Sequence, residues 1–203
     1  MIDRGAAAGA LPAAVEAAVR AGVDWVQVRE RALGGARLLA FAGEIAAAAR
    51  RGAENAGRTV RIVVNRRADV ALAIGADGVH LGYDAMDVAA ARRVLGEDAL
   101  VGLSTHSPEE VRAAAGAMDV PSYVHLAPVF APLSKRAERA PLGLAALEAA
   151  ACESVPVFAQ GGVDAANIAA MRAAGAAGVA VTGAILLADD VAAATTALRS
   201  ALG

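Results

Sequence analysis

The chain has 203 residues, of which 57% are hydrophobic and only 3% aromatic, and its 19 basic and 21 acidic residues give a formal net charge of -2. This length allows one well-buried core, so we expect a single domain over residues 1–203. The balanced charge provides no electrostatic footprint for nucleic acid or for an anionic membrane, and it favours a small-molecule partner. The alanine-rich composition favours helices that pack closely on a sheet.

The cysteine content indicates the compartment. The single cysteine, Cys152, excludes an internal disulfide framework and a paired-cysteine metal site, and the run LAALEAAACES around it predicts a buried helical thiol. The N-terminal residues do not show the pattern of a secretory signal. We therefore expect a reducing, cytoplasmic location.

Short β-branched runs alternate with alanine-rich stretches along the chain, and the runs end in polar or glycine residues. The predicted strands are 24–29, 59–65, 78–82, 100–104, 123–127, 155–159 and 178–182. The predicted helices are 11–21, 34–51, 68–74, 87–95, 108–115, 143–152, 165–174 and one that starts at Ala184.

This alternation predicts parallel strands connected by helices, which leaves an eight-stranded (β/α)8 TIM barrel or an open doubly wound sheet. Seven strands are clear, and helices flank both ends of the series. An eighth strand could only be a remnant at residues 1–3. We expect a single TIM barrel whose first strand is truncated or degenerate.

The stretch VPVFAQGGVDAANI combines an apolar strand with two glycines, Gly161 and Gly162, and with Asp164, which is predicted to cap the next helix. Bare N–H groups at such a turn can bind an anion. Thr182 and Gly183 end the last strand in the same way, and the last two loops of a TIM barrel usually form a phosphate site. We predict a phosphate here; the alternative is that the glycines only permit close packing.

Polar residues after the earlier strands are further candidates, because the catalytic face of a TIM barrel is formed by the carboxyl ends of its strands. In VQVRER, Gln27, Arg29 and Arg31 occupy alternate positions and point the same way. Two inward arginines indicate a bound anion or, as the alternative, an ion pair with Glu30 or Asp3.

The next three strands add an amide, a histidine and a hydroxyl. Asn65, followed by Arg66, can hydrogen-bond a heterocycle in both directions. His80 lies on a strand that faces the mouth of the barrel, the open end at the carboxyl ends of its strands. Ser104 ends the next strand. We interpret His106 as a structural residue.

The connection APLSKRAERAPLGL carries Ser134 and Lys135 among prolines and further basic residues. A loop of this length in a compact barrel is usually functional or disordered. It is either a lid that brings Lys135 over a phosphate or a solvated charged loop.

Five segments together resemble the thiamine phosphate synthase and TenI family over nearly the whole chain: VQVRER, VVNRRADVALAIGADGVHLG, VGLSTHSPEE, YVHLAPVFAPLSK and VPVFAQGGVDAANIAAMRAAGAAGVAV. The resemblance implies a TIM barrel, and MIDR looks like the end of the family's first strand. The synthase branch joins hydroxymethylpyrimidine diphosphate to thiazole phosphate and releases pyrophosphate. The TenI branch tautomerises a thiazole carboxylate phosphate.

The resemblance also implies roles for residues. Pyrimidine or diphosphate positions hold Gln27, Arg29, Asn65, His80, Ser104 and Lys135, and thiazole phosphate positions hold Gly162, Val181 and Thr182. Our candidate catalytic residues are Arg29, Ser104 and Lys135. The candidate substrate-binding residues are Gln27, Arg31, Asn65, Arg66, His80, Ser134, Gly161, Gly162, Val181, Thr182 and Gly183.

The chain departs from the synthase pattern where that pattern binds magnesium. At two positions where the synthase pattern has a carboxylate, this chain has Arg66 and Ala85. Where the pattern has a lysine, this chain has Arg31. Two alternatives stay open: Asp84 or Asp87 serves as a relocated magnesium ligand, or Arg31 and Arg66 neutralise pyrophosphate without metal.

The segments RER and NRR resemble the TenI branch, whereas the position of that branch's active-site histidine holds Pro128. We expect the synthase reaction, with the tautomerase or a catalytically silent phosphate-binding regulator as alternatives. The expected partners are small phosphorylated heterocycles, without nucleic acid or membrane, and a homo-oligomer is compatible with the sequence.

Overall fold

The computed structural model describes residues 11–82, 84–131 and 140–203. Within these ranges, seven parallel strands form one sheet in chain order, and helices connect successive strands. The strands are β1 (Trp25–Val28), β2 (Arg61–Asn65), β3 (Gly78–Leu81), β4 (Leu100–Thr105), β5 (Tyr123–Leu126), β6 (Val157–Gln160) and β7 (Gly178–Ala180). The helices are α1 (Leu11–Arg20), α2 (Gly35–Asn55), α3 (Ala68–Ala73), α4 (Val88–Leu95), α5 (Pro108–Ala115), α6 (Gly143–Ala151), α7 (Ile168–Ala173), α8 (Gly183–Leu186) and α9 (Val191–Leu202).

Within the described ranges, the sheet has the strand order of a TIM barrel without its first strand. Each strand pairs in parallel with the next, from β1 to β7, and among the described residues no strand joins β7 to β1. Described residues of β1, β7, α1 and α9 line a cavity of about 360 Å³ between these two strands. Because α1 precedes β1 in the chain, this is the place of the first strand of a (β/α)8 barrel. The expected barrel with a truncated or degenerate first strand is confirmed.

Side chains alternate between the two faces of each strand, as β geometry requires. On β1, Val26 and Val28 belong to the core cluster formed with α1 and α2. Trp25 and Gln27 line the interior cavity, which Val26 also borders. The outer faces of the strands therefore hold the helices, and the inner faces are available for polar residues.

Small side chains let the helices approach one another closely. Ala42, Ala46 and Ala49 of α2 are fully buried in the same cluster as α1. A Cβ added to Gly52 would lie 2.5 Å from the carbonyl oxygen of Glu16, so α1 and α2 are in contact through their backbones. Among the described residues, no helix combines the length and hydropathy needed to cross a membrane.

Aspartate side chains set two helix boundaries. Oδ1 of Asp164 accepts hydrogen bonds from the N–H groups of Ala166 and Asn167, at 2.9 and 3.0 Å, and this closes a turn before α7 starts. The predicted start of that helix at residue 165 is therefore wrong by three residues. The predicted C-terminal helix is divided into α8 and α9, because Asp190 caps α9 by accepting from the N–H of Ala193.

Cys152 corrects a second expectation. It is exposed at the C-terminal cap of α6, where its Sγ donates to the carbonyl oxygen of Glu148 at 3.3 Å. The prediction of a buried helical thiol is wrong, because the apolar run ends in a cap whose last residues face outward.

Candidate active site

The carboxyl ends of the strands bring several candidates together in the barrel interior. The Cα atoms of Asn65 and His80 are partners in the β2–β3 register, and His80 is hydrogen-bonded to Ser104 of β4. Gln27 is buried and lines the same interior cavity as His125 of β5. The expectation that His80 faces the mouth from inside the barrel agrees with this geometry.

His80 is the centre of a buried hydrogen-bond network. Its Nε2 lies 2.9 Å from Oγ of Ser104, and its Nδ1 lies 3.2 Å from the hydroxyl oxygen of Tyr123. The ring of His125 lies beside it, tilted by 37°, at a centroid distance of 4.3 Å, and Nδ1 of His125 lies 3.2 Å from Oε1 of Gln160. Sequence reasoning missed Tyr123 and Gln160 as members of this network. The available signal was the two-residue alternation on β5, which points Tyr123 and His125 to the same side.

Burial keeps both histidines uncharged at neutral pH. Loss of water around the ring, with a further contribution from the positive charge of Arg29, lowers the pKa of His80 from 6.5 to about 4. Burial, together with the neighbouring His80, lowers the pKa of His125 well below its usual value. Burial also raises the pKa of the Tyr123 hydroxyl. The interior therefore offers neutral hydrogen-bonding groups rather than charges.

We expect the protein to lose stability as the pH falls from about 7 to about 4.5. Because the folded pKa of His80 is about 4 and the ordinary value is 6.5, the unfolded chain binds more protons in this window. The pKa shift of His80 alone lowers the free energy of unfolding by about 3 kcal/mol as the pH falls through this range. The lowered pKa of His125 acts in the same direction. Urea unfolding at several pH values measures the slope, and His80→Asn should reduce it. A free energy of unfolding that stays constant over this range would contradict the prediction.

Gln27 presents an unused hydrogen-bond acceptor inside the barrel. The residue is 5% exposed, and among the described residues its Oε1 has no hydrogen-bond partner. Buried acceptors are normally satisfied, and an unmade bond costs about 1–3 kcal/mol. This atom is therefore suited to a ligand that carries an N–H donor.

Three arginines surround the mouth on the side of β1 to β3. Arg66 adopts a positive φ of 67°, and its backbone N–H donates to the carbonyl oxygen of His80 at 2.8 Å. Its guanidinium pairs with Asp84 at 2.5 Å, and this contact, with a smaller contribution from Arg31, lowers the pKa of Asp84. Arg29 is half-buried directly after β1, where its charge acts on His80. The three guanidinium groups can therefore act together on an anion at the mouth.

The two aspartates considered as magnesium ligands are engaged with other partners. Asp84 pairs with Arg66, and Asp87 caps α4 by accepting a hydrogen bond from the N–H of Ala90 at 2.6 Å. In the part of the chain that the structure describes, no group of three or more His, Cys, Asp or Glu side chains could hold a metal ion. The guanidinium of Arg66 beside the Asp84 carboxylate opposes cation binding electrostatically, so the residues of the described ranges do not fit magnesium.

The loop after β6 is shaped by its two glycines. Gly161 and Gly162 have φ values of 98° and 59°, which side chains rarely tolerate. A Cβ on Gly161 would lie 2.8 Å from Cβ of Pro128, and one on Gly162 would overlap the carbonyl oxygen of Ala131. This geometry agrees with the alternative explanation, that these glycines permit close packing, and the predicted phosphate site stays a prediction. Among the described residues, the N–H of Gly162 donates to no protein acceptor, so it is available for a ligand.

The loop after β7 lies beside it, because Gln160 and Ala180 are partners in the β6–β7 register. Val181 and Thr182 follow β7, and Gly183 begins α8. Within the described ranges, the N–H of Gly183 makes no hydrogen bond to the protein. The two loops thus follow neighbouring strand ends, and the phosphate site expected there stays a prediction. Ser134 and Lys135, and with them the lid hypothesis, lie outside the described residues.

A family profile described as thiamine monophosphate synthase (TMP-TENI) matches residues 1–185. The chain belongs to this family. It is 42% identical over 189 residues to the thiamine-phosphate synthase of Chloroflexus aurantiacus, covering 93% of this chain and 83% of that protein. It is 45% identical over 184 residues to the thiamine-phosphate synthase of Methanoculleus marisnigri, covering 90% and 83%.

Solved structures of the family have the same fold. The thiamine phosphate pyrophosphorylase of Pyrococcus furiosus matches with a TM-score of 0.80 at 28% identity, and the match covers 95% of this chain and 89% of that one. The resemblance inferred from the five sequence segments is therefore confirmed.

Proposed function

We propose that the protein is a thiamine phosphate synthase of the cytoplasm, which joins hydroxymethylpyrimidine diphosphate to thiazole phosphate and releases pyrophosphate. Its relatives at 42% and 45% identity carry the synthase name, which favours this reaction over the thiazole tautomerase. Pro128, at the position of the tautomerase histidine, cannot transfer a proton.

The observation that carries the proposal is the unpartnered acceptor of Gln27. The pyrimidine substrate carries an exocyclic amine, and Oε1 of Gln27 can accept one of its hydrogens in a site from which water is excluded. Asn65, half-buried at the end of β2, offers a second amide for the ring. A neutral interior also suits the chemistry, because the uncharged His80 and His125 do not repel a pyrimidine cation.

The reaction needs charge stabilisation more than it needs an acid or a base. The bond between the pyrimidine methylene carbon and the diphosphate oxygen breaks, and the electron pair leaves with pyrophosphate. The thiazole nitrogen then forms a new C–N bond to that carbon, and the positive charge passes to the thiazolium ring. Preorganised positive groups aimed at the leaving oxygen lower the barrier for this step. Arg29, Arg31 and Arg66 are the groups of this chain that supply them.

Magnesium is not required in this scheme. The Arg66–Asp84 pair is partly exposed, with side-chain exposures of 31% and 64%, and such pairs are weak. Arg66 can therefore exchange Asp84 for a diphosphate that carries more charge and accepts bidentate hydrogen bonds. On the opposite side, the N–H groups of Gly162 and Gly183 are the proposed donors to the phosphate of the thiazole.

Replacement of Gln27 by leucine provides a test of pyrimidine recognition. Gln27→Leu keeps the side-chain size and removes the acceptor, so we expect affinity for the pyrimidine diphosphate to fall about tenfold or more. Affinity for thiazole phosphate should not change. The unliganded variant should be at least as stable as the wild type, because it no longer buries an unsatisfied oxygen. Calorimetry measures the two affinities, and thermal unfolding measures the stability of the unliganded variant. An unchanged affinity for the pyrimidine diphosphate would show that Gln27 does not bind it.

Assays of both reactions with the purified full-length protein test the function itself. We expect thiamine phosphate from the two synthase substrates and no conversion of the thiazole carboxylate phosphate. Tautomerase activity without synthase activity would reverse the assignment. Binding of thiazole phosphate without either reaction would support the regulatory alternative.

A further inference from the structure

We propose that Tyr123 is a positioning residue, whose hydroxyl fixes the tautomer of His80 and thereby directs the hydroxyl hydrogen of Ser104 toward the pyrimidine diphosphate. The substrate half of this inference rests on the proposed function, whereas the tautomer half concerns the protein alone.

The argument starts from the hydrogen of the Tyr123 hydroxyl. Tyr123 is 2% exposed, and among the described residues its hydroxyl has one hydrogen-bond partner, Nδ1 of His80 at 3.2 Å. A buried hydroxyl hydrogen without an acceptor is costly. If Nδ1 carried the proton, it would donate to the hydroxyl oxygen and leave that hydrogen without a partner. The hydrogen is satisfied only when Nδ1 is the acceptor.

The tautomer then determines the direction of the next hydrogen bond. His80 is neutral, so a ring with an unprotonated Nδ1 carries its single proton on Nε2. Nε2 must donate to Oγ of Ser104, which lies 2.9 Å away. Oγ of Ser104 consequently accepts a hydrogen bond from His80. The hydroxyl hydrogen of Ser104 is therefore directed to an acceptor other than His80. Ser104 is half-buried near the end of β4, and among the described residues its hydroxyl has no further partner. The substrate is the remaining acceptor.

The tyrosine ring is held rigidly enough for this role. It packs against Trp25 edge-on at a centroid distance of 5.1 Å and stacks on Phe158 at 5.2 Å. Gly102 provides the space for its hydroxyl end, because a Cβ at that position would overlap the phenol ring. Tyr123→Phe therefore removes the hydroxyl and keeps the packing of the ring.

The first test reads the tautomer by 15N NMR of histidine-labelled protein at neutral pH. The chain has three histidines, so each variant at His80, His106 or His125 identifies its own signals. We expect the unliganded wild type to show a pyridine-like Nδ1 and a pyrrole-like Nε2 for His80. In Tyr123→Phe, the Nδ1 signal should move and the other tautomer should become populated.

Thr105→Val is the matched control. It also removes a buried hydroxyl that makes one hydrogen bond, to the carbonyl oxygen of His125 at 3.0 Å, but this hydroxyl is not among the hydrogen-bond partners of the His80 ring. The His80 signals should stay at the wild-type shifts in this variant. A protonated Nδ1 in the wild type, or unchanged signals in Tyr123→Phe, would overturn the inference whether or not the protein is a synthase.

The second test measures coupling between Tyr123 and Ser104 by calorimetric binding of hydroxymethylpyrimidine diphosphate. We expect Tyr123→Phe and Ser104→Ala each to weaken binding by about threefold to tenfold. The double variant should bind no more weakly than Ser104→Ala, because Tyr123 acts through Ser104. Additive losses would overturn the substrate half. A wild type that does not bind this compound would overturn the substrate half and the proposed function together, and the NMR result would still decide the role of Tyr123.

Discussion

Synthase activity of the wild type is expected to persist in a metal chelator, and Arg66→Ala is expected to lower kcat by about 100-fold. The physical reason is that the leaving pyrophosphate must be neutralised and that Arg66 stands where the synthase pattern has a carboxylate. Its partner Asp84 is exposed and holds it only weakly, so the guanidinium can turn to the substrate. Steady-state kinetics with and without chelator measure both effects.

The next residue supplies the control. Arg67 has the same side chain and pairs with Asp69 at the start of α3, at 2.6 Å, away from Asp84. Arg67→Ala should leave kcat within about twofold of the wild type, since a partly exposed ion pair contributes little. Equal losses in the two variants would show that general charge, rather than the position of Arg66, matters.

The metal requirement can also be introduced by substitution. The double variant Arg66→Asp with Ala85→Asp restores the two carboxylates of the synthase pattern, and its activity should depend on added magnesium. Aspartate tolerates the positive φ of 67° at residue 66 better than most residues. Loss of wild-type activity in chelator, with recovery on addition of magnesium, would contradict the proposal that arginines replace the metal.

The second large effect is expected at Gly183, at the proposed phosphate position. Gly183→Asp places a carboxylate beside the N–H groups after β7, and we expect affinity for thiazole phosphate to fall at least about tenfold below that of Gly183→Asn. The asparagine variant has the same shape without the charge, so the difference between the two isolates electrostatic repulsion. Calorimetry with thiazole phosphate measures the ratio.

Gly162 is less suitable for this test than Gly183. A side chain at Gly162 would overlap Ala131, and the φ of 59° disfavours it, so loss of binding there would mix repulsion with distortion. In the Gly183 pair, the affinity for the pyrimidine diphosphate should be the same, because we propose that this substrate binds on the side of β1 to β4. Equal affinities of the two variants for thiazole phosphate would show that Gly183 does not belong to the phosphate site.

The sequence was sufficient for the order of elements and for the class of fold. Alternation of β-branched runs with alanine-rich stretches predicted the seven strands within about two residues at their ends, because burial on both faces and helical periodicity are local properties of the chain. The glycines at 161 and 162 were recognisable for the same reason: a tight turn after a strand limits which residues fit. Five short segments, taken in their order, were also sufficient to identify the family.

The partners of the polar side chains were decided only by the tertiary structure. Tyr123 and His80 are separated by 43 positions in sequence, and no local pattern indicates that a phenol would meet an imidazole above Gly102. The pairing of Arg66 with Asp84 likewise depends on where the loop after β3 returns to β2. Strand registers and loop paths bring such groups within hydrogen-bond distance, and those are set by the packing of the whole barrel. The sequence by itself therefore determined which chemical groups line the mouth, and the tertiary structure determined which of them bind one another and which remain available for a substrate.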